Sequence, residues 1–261
     1  MKDSKKYSPK VTKLFKSLKR KSTKYQMPKY DDPIEAVVFA LTSEHVTAAL
    51  SARMYKRMMK HFVNLNDLRV SRKEEILDVF GESFEAAEHV AASVTQVLNT
   101  IYEKNDKVSL AMLGQDGKRQ AHKELSEIEG VTPFAVSYCF LTALNGHAIP
   151  LNPRTLEYLR ACQLVHPAAT DAEIAGFLER QISAADAYNF YMLLRHEAEQ
   201  TKLAAKSKKT KAKGQAATKK EATAKKKTTA KKKTVVKKKA AAKKKTTVKK
   251  KTTTKKKVVK K

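Results

Sequence analysis

Apolar residues recur every three or four positions through most of residues 31–200, which is the spacing of one face of a helix. The two clearest series are Ile34, Val37, Val38 and Leu41, and Val90, Val94, Val97, Leu98 and Ile101. Further helices are predicted near residues 117–128, 133–146, 153–165, 171–181 and 184–200. No alternation of apolar and polar residues lasts long enough to indicate a strand, so the pattern predicts an all-α body.

Two helix ends are marked by residues with a clear stereochemical role. Asp31, Asp32 and Pro33 precede the first apolar series, where acidic residues and a first-turn proline favour a helix start. Gly81 follows the series that ends at Phe80, where glycine favours a helix end because it adopts positive φ without strain.

The N-terminal segment carries a short version of the same pattern. Its apolar positions are Val11, Leu14, Phe15 and Leu18, with Lys and Arg between them. This spacing predicts a basic amphipathic helix. Such a helix either docks on the body or frays, which is the first expectation, or contacts a DNA backbone, or lies on a membrane surface.

Charge divides the chain into three parts. Residues 1–30 hold 11 Lys or Arg and one acid, Asp3, whereas residues 31–200 hold 16 Lys or Arg and 24 Asp or Glu. Residues 201–261 hold 28 Lys and one acid, Glu221, and so carry +27 of the total net charge of +29. We therefore predict a mildly acidic helical domain between two disordered basic arms, with these three boundaries: an N-terminal arm and a lysine-rich repeat tail.

The tail repeats a lysine triplet with a period of six residues. The triplets begin at Lys225, Lys231, Lys237, Lys243, Lys249 and Lys255. The spacers contain only Thr, Ala and Val, so the tail cannot build a core, and its like charges repel one another. DNA is the expected partner, because each phosphate that a lysine contacts releases condensed counterions. RNA would be bound for the same reason.

Cofactor chemistry finds little support in the sequence. Cys139 and Cys162 are the only cysteines and cannot alone provide a four-thiolate iron–sulfur or zinc site. None of the seven histidines follows a metal-binding spacing such as His-x-x-x-His. We therefore expect no metal, no iron–sulfur cluster and no other cofactor.

The expected location follows from the same composition. Two cysteines inside apolar helical patterns fit a reducing compartment, and no apolar run approaches the ~20 residues that span a bilayer. The N-terminus also lacks the apolar stretch of a signal peptide. We expect an intracellular protein without membrane contact, cytoplasmic and nucleoid-associated, or nuclear in a eukaryote.

A glycine-containing turn joins two of the predicted helices. Residues 125–137 read Leu-Ser-Glu-Ile-Glu-Gly-Val-Thr-Pro-Phe-Ala-Val-Ser, with one helix ending at Ile128 and the next starting at Pro133. This segment resembles the helix-hairpin-helix of the endonuclease III-like (HhH-GPD) DNA glycosylase superfamily, whose hairpin reads roughly Leu-Pro-Gly-Val-Gly. The resemblance implies a two-lobed helical fold in which hairpin N–H groups and the next helix N-terminus hold a DNA phosphate.

Three other segments resemble the same superfamily in the same order. Residues 40–44, which read Ala-Leu-Thr-Ser-Glu, are similar to the family's Leu-Ser-x-Gln segment, and residues 81–90 are similar to a helix start that reads Gly-x-x-x-x-Lys-Ala-x-x-Ile. Residues 142–152 are similar to the apolar segment that delivers the family's catalytic aspartate, without insertion after the hairpin. The resemblance covers residues 31–200 and implies that the second lobe combines the N-terminal segment with the C-terminal helices.

The resemblance also implies a catalytic aspartate and, in bifunctional members, a lysine that forms a Schiff base. Asn152 stands at the aspartate position, and its neutral amide cannot accept a proton. Phe134 stands at the lysine position and offers no nucleophile. Glu44 stands at the glutamine that fills the space of an extruded base, and the cysteine cluster that loads iron–sulfur in many relatives is missing. These degenerate positions predict that no residue here is catalytic.

The hairpin differs from the family pattern as well. Thr132 replaces the second glycine and suits a helix N-cap, whereas Pro133 suits a first turn and removes one N–H. The amides of Gly130 and Val131, together with Thr132, remain candidates for phosphate binding. Neighbouring acids weaken such a site, and neighbouring basic residues offset them. The acids are Glu127 and Glu129, and the basic candidates are Lys118, Arg119 and Lys123.

Taken with the tail, these features predict a non-catalytic DNA-binding protein that organises or compacts DNA with little sequence preference. The alternative is an active DNA glycosylase or abasic-site lyase that uses displaced residues. A third interpretation is a scaffold whose acidic body binds repair proteins while the basic arms hold DNA. The charge alone also fits a tail that binds any polyanion, including ribosomal RNA.

Overall fold

A computed structural model describes residues 1–21, 24–81, 84–113, 115 and 117–201 of the 261-residue chain. All regular secondary structure in these residues is helical, as the apolar spacing predicts. The helices are α1 (Ser4–Lys21), α2 (Pro33–Ser43), α3 (Ala48–His61), α4 (Leu65–Val70), α5 (Lys73–Phe80), α6 (Ala87–Asn105), α7 (Lys118–Ser126), α8 (Pro133–Thr142), α9 (Pro153–Ala161), α10 (Asp171–Gln181) and α11 (184–201). Within the described residues, none of them is long and apolar enough to cross a membrane. The predicted disordered tail and its lysine triplets lie outside the described residues.

The predicted helix ends at Pro33 and Gly81 are confirmed. Asp32 caps α2, because its side chain accepts a hydrogen bond from the N–H of Ile34 at 3.0 Å, and Pro33 occupies the first turn. Gly81 ends α5 with a φ of 64°, in the left-handed region that glycine adopts without strain.

Helix α8 is shorter than the apolar pattern predicts. It ends at Thr142 instead of near residue 146, because Asn145 takes a positive φ of 50° and turns the chain. The N–H of Gly146 then donates to the carbonyl of Phe140 at 2.7 Å. A Cβ at Gly146 would overlap the ring of Phe140, so the close return of the chain needs a glycine.

Two hydrophobic clusters divide the fold into two lobes. The first lobe is built from α2 to α8, with Val37 and Leu98 in its core. The second lobe is built from α1, α9, α10 and α11, with Phe177 in its core. Helix α11 serves both, because Tyr191 packs in the first cluster and Phe190 in the second. The predicted union of the N-terminal segment with the C-terminal helices is therefore confirmed.

Helix α1 corrects the prediction that both basic arms are disordered. Tyr7 and Val11 are buried in the second hydrophobic cluster, Leu18 is 3% exposed, and Phe15 packs edge-on against Phe190 with 5.1 Å between ring centroids. Burying one such apolar side chain stabilises the docked helix by about 1.5–3 kcal/mol, which opposes the repulsion among its lysines. Of the alternatives for this segment, docking on the body is confirmed.

A buried arginine ties α11 to the turn between α2 and α3. Arg195 is 2% exposed and donates to the carbonyls of Ser43 at 2.7 Å and Val46 at 2.9 Å. Its Nε donates to the carboxylate of Glu199 at 3.0 Å, so the charge is paired inside the protein. These bonds hold the carbonyls on either side of Glu44 and so fix where that residue lies.

Candidate nucleic-acid interface

The turn between α7 and α8 has the conformation that its glycine predicts. Gly130 adopts a φ of 87°, and a Cβ there would lie 3.0 Å from Cγ2 of Val97. The N–H of Val131 donates to the carbonyl of Ile128 at 3.2 Å, so this amide closes the turn. Of the two amides predicted to bind phosphate, only that of Gly130 is left without a partner among the described residues.

The start of α8 confirms the two structural roles predicted for Thr132 and Pro133. Oγ1 of Thr132 accepts a hydrogen bond from the N–H of Ala135 at 3.1 Å, and Pro133 occupies the first turn. The Thr132 hydroxyl then donates its own hydrogen to Oε2 of Glu44 at 2.7 Å. The cap is therefore connected to a side chain that follows α2.

The carboxylate of Glu44 lies at the N-terminus of α8. The first N–H groups of a helix carry partial positive charge, which stabilises an anion placed there. This is also where a helix N-terminus binds an external phosphate. Glu44 lies beside the cap of α8 through its bond with Thr132, and its negative charge, with that of the exposed Glu129, opposes a phosphate that approaches the hairpin.

Phe134, at the position that the resemblance assigns to a Schiff-base lysine, is a core residue. It is 3% exposed and stacks on Tyr138, with 6.2 Å between the ring centroids. The Tyr138 hydroxyl shares a hydrogen bond of 3.0 Å with the hydroxyl of Tyr30, and the ring of Tyr191 lies 6.3 Å from that of Phe134. We call these four residues the aromatic cluster. Burial raises the pKa of all three tyrosines, so none of them can act as a base near neutral pH.

Asn152, at the position that the resemblance assigns to the catalytic aspartate, is the N-cap of α9. Its Oδ1 accepts hydrogen bonds from the N–H of Thr155 at 2.9 Å and from the hydroxyl of Thr155 at 2.6 Å. The side chain is 0% exposed, and its Nδ2 has no partner among the described residues. Asn152 thus caps the start of α9 in the protein interior.

Known proteins resemble this chain in structure but not in sequence, since neither a family model nor a curated protein matches it. A trapped endonuclease III–DNA covalent intermediate matches with a TM-score of 0.56 and 14% identity, over 75% of this chain and 85% of that one. Clostridium acetobutylicum 8-oxoguanine glycosylase/lyase in complex with double-stranded DNA matches with a TM-score of 0.57 and 13% identity, over 77% and 71%. H. pylori 3-methyladenine DNA glycosylase bound to 1,N6-ethenoadenine matches with a TM-score of 0.54 and 13% identity, over 76% and 98%. The chain has the endonuclease III-like DNA glycosylase fold.

In this glycosylase fold, the basic residues of α7 lie mostly away from the hairpin. Lys118 and Arg119 form the first turn of α7, and Nζ of Lys118 donates to the carbonyl of Asn145. Lys123 lies near the last turn, where its Nζ is 3.8 Å from the carboxylate of Glu127. A helix of nine residues is about 13 Å long. The structure therefore brings only Lys123 of the three close to the hairpin.

Two features of this site go beyond the sequence analysis. Residues Glu44 and Thr132 are 88 positions apart, and no local pattern predicts that their side chains meet. The cap at Asn152 does have a local signal, because an asparagine followed by Pro153 is a frequent helix start.

Other chemistry is not assembled in the described part of the chain. It contains no group of three or more His, Cys, Asp or Glu side chains that could hold a metal ion. A cavity of about 680 Å³ lies between residues 24–29, the end of α8 and the start of α11, and its lining includes Tyr25 and Tyr188. Neither Phe134 nor Asn152 lines it.

Proposed function

We propose that this protein binds DNA without excising bases or cleaving strands, on a glycosylase fold whose catalytic positions serve as core positions. The observation that carries the proposal is the burial of Asn152 and Phe134, which are 0% and 3% exposed. Glycosyl transfer needs a proton acceptor, and a lyase also needs an amine at the sugar. Here those positions supply an amide that caps a helix and a phenyl ring inside the aromatic cluster.

Binding to DNA is supported by the fold and by the charge of the chain. The structurally similar endonuclease III and 8-oxoguanine glycosylase/lyase were solved in complex with DNA. The described hairpin offers little positive charge, because Glu44 occupies the N-terminus of α8. The 28 lysines of residues 201–261 are the largest source of cations in the sequence. We therefore assign most of the affinity to the tail.

The proposed role is the organisation or compaction of DNA in a nucleoid or in chromatin, or its tethering during repair. A lysine that contacts phosphates reads no base edges, so binding should depend little on sequence. Fully extended, the 61 residues from 201 to 261 would span about 200 Å, which is enough to reach several duplex segments. Ribosomal RNA and other polyanions would compete for the same lysines.

Borohydride trapping on abasic DNA tests the absence of lyase activity. The unmodified protein should form no covalent adduct, since no amine stands at residue 134. A base-release assay on a panel of damaged duplexes should likewise show no product above the level without protein. An adduct, or release of one damaged base, would instead establish the alternative of an active glycosylase or lyase.

Restoring the family residues shows whether a substrate pocket persists. Asn152→Asp alone should create no lyase, because Phe134 still offers no amine. The double change of Asn152→Asp and Phe134→Lys should give at most weak trapping, since proximity to the sugar is most of what a site contributes. The control is Asn152→Asp with Phe134→Leu. Trapping by this control would place the reactive amine at another position and contradict the proposed assignment.

A further inference from the structure

The solvent-facing side of α1 is the most uniformly charged helical surface in the described part of the chain. Helix α1 contains eight Lys or Arg and no Asp or Glu. Tyr7 and Val11 pack in the second cluster, and Leu18 is buried on the same side of the helix, so the exposed basic residues lie on the other side. The exposed basic side chains on the opposite face include Lys5, Lys13, Lys16 and Arg20.

The lysines at the edges of α1 are held by the protein itself. Nζ of Lys10 donates to the carbonyl of Gln163 at 3.0 Å. Nζ of Lys19 forms an ion pair of 2.7 Å with Asp186 and lies 4.5 Å above the ring of Phe15. These lysines stabilise the docked helix and are not available to a partner.

The central cations of α1 have no such partners. Lys5, Lys13, Lys16 and Arg20 form no hydrogen bond or ion pair with any other described residue. Two acids near α1 are already used, since Asp186 pairs with Lys19 and Glu173 lies 3.6 Å from the amino group of Met1, and the exposed Asp3 precedes the helix at its N-terminal end. The outer face of α1 therefore carries positive charges that form no ion pair with a described acidic side chain, at positions that the docked helix fixes.

The packing of α1 also decides which polyanion its outer face fits. A helix that binds a membrane surface inserts its apolar side into the lipid. In α1 that side is covered, because Val11 is 0% and Leu18 3% exposed. Only the charged side of α1 remains exposed. A charged surface suits a phosphate backbone, because phosphates are bound through charge and need no apolar contact.

We propose that Lys5, Lys13, Lys16 and Arg20 form a second, ordered contact surface for the phosphate backbone of duplex DNA. The proposal rests on the proposed DNA-binding function and adds a structured surface to it. From Lys5 to Arg20 the helix rises about 22 Å, which exceeds the width of either groove of B-DNA. The four cations can therefore contact phosphates on both sides of a groove. The docked helix fixes the positions of these four residues before DNA binds. Less conformational entropy is therefore lost on binding than for residues that become ordered only on binding.

The test compares two variants with the same loss of charge. In the first, Lys5, Lys13, Lys16 and Arg20 are changed to Gln, which retains a good helix propensity. In the control, four exposed lysines on α3, in the last turn of α6 and just after α6 are changed to Gln, namely Lys56, Lys60, Lys104 and Lys107. Both sets are made in the full chain and in the fragment 1–205, which keeps every residue of the two hydrophobic clusters. Circular dichroism and thermal unfolding confirm that each variant is folded.

Binding to a 30-base-pair duplex is measured as a function of salt concentration. In the fragment, the α1 variant should flatten the slope of log affinity against log salt by about 3 to 4, which corresponds to four phosphates. Its affinity at 50 mM salt should fall roughly 100-fold, whereas the control should change far less. Equal losses in the two variants, or no loss in the α1 variant, would overturn the assignment of α1.

Two further outcomes distinguish a failure of the α1 proposal from a failure of the proposed DNA-binding function. If the full chain does not bind DNA at all, the proposed function fails as a whole. If the full chain binds but the unmodified fragment 1–205 does not, only the α1 proposal fails. Vesicles containing phosphatidylserine are tested in parallel. Loss of vesicle binding in the α1 variant, with DNA binding retained, would identify α1 as a membrane contact and contradict the proposal.

Discussion

The hairpin and helix α1 show opposite uses of charge in one fold. At the hairpin, the N-terminus of α8 already has an anion beside it, because Glu44 accepts a hydrogen bond from Thr132 at 2.7 Å. On α1, Lys13 and Lys16 face solvent without an anion from the described part of the protein. At the hairpin, the positive end of α8 already has an anion of the protein beside it, whereas the cations of α1 have none. We therefore expect an external phosphate to bind more favourably at α1.

The two surfaces therefore differ in whether the protein itself pairs their charge. The aromatic cluster and the cap at Asn152 stabilise the folded protein at the positions that the resemblance assigns to catalysis. Helix α1 uses its apolar side for stability and leaves its charged side open.

Deletion of residues 206–261 should have the largest effect on DNA affinity. If about ten lysines of the tail engage at once, the full chain should show a slope of log affinity against log salt near −9. The fragment 1–205 should retain only the shallower slope that α1 provides. A salt titration on two unrelated duplexes measures both slopes. A fragment that keeps the full slope would show that the folded part is the main DNA-binding element, and a strong preference for damaged DNA would support a repair enzyme.

Truncation of Phe134 should destabilise the folded part of the chain strongly. Phe134→Ala removes a buried ring from the aromatic cluster and should lower the free energy of unfolding by about 3–5 kcal/mol. Met112→Ala is the control, because Met112 is 71% exposed and should change it by less than about 0.5 kcal/mol. Urea unfolding of the fragment 1–205 gives both values. A small effect at Phe134 would indicate a pocket there and would weaken the contrast with α1.

Alkaline pH should destabilise the first lobe because its buried hydroxyl and thiol groups resist ionisation. Burial raises the pKa of the Cys139 thiol to about 12, and it raises the pKa of Tyr138 as well. The unfolded chain loses these protons near pH 8.5 and 10, whereas the folded chain keeps them. Stability is therefore complete below pH 8.5 and falls above it, by about 1.4 kcal/mol per pH unit for each such group.

Urea unfolding of the fragment 1–205 between pH 8 and pH 11 tests this dependence. The variant Cys139→Ala should reduce the slope between pH 9 and pH 11, because it removes one of the groups that ionise only on unfolding. Met112→Ala should leave the slope unchanged, since it removes an exposed side chain that does not ionise. A flat profile would mean that these groups ionise in the folded protein and are not in a packed core.

Removal of the Glu44 charge should have the smallest effect and the opposite sign. Glu44→Gln keeps an oxygen that can accept the hydrogen bond from Thr132, but it removes the anion at the start of α8. The affinity of the fragment 1–205 for duplex DNA should rise several-fold, and the salt slope should steepen by about 0.9 if one phosphate is gained. Glu103→Gln on α6 is the control for charge alone. Equal gains from the two variants would show that Glu44 does not block the hairpin.

Much of the helical framework is predictable because its signals are local. The start of α2 at Pro33, the end of α5 at Gly81 and the cap at Thr132 all depend on residues within four positions of each other. The end of α8 has a local signal as well, in Asn145 with its positive φ followed by Gly146, but the apolar spacing that continues past Thr142 predicts a longer helix.

The sequence by itself determined that this chain is helical, where most helices begin and end, and how its charge is divided. It also determined that Asn152 and Phe134 replace the residues that the family resemblance implies for catalysis. Only the tertiary structure decided that both are buried, that Glu44 reaches Thr132, and that α1 turns its lysines to solvent. The physical reason is range: caps and turns are set by neighbours in the chain, whereas burial and long-range hydrogen bonds depend on how all the helices pack together.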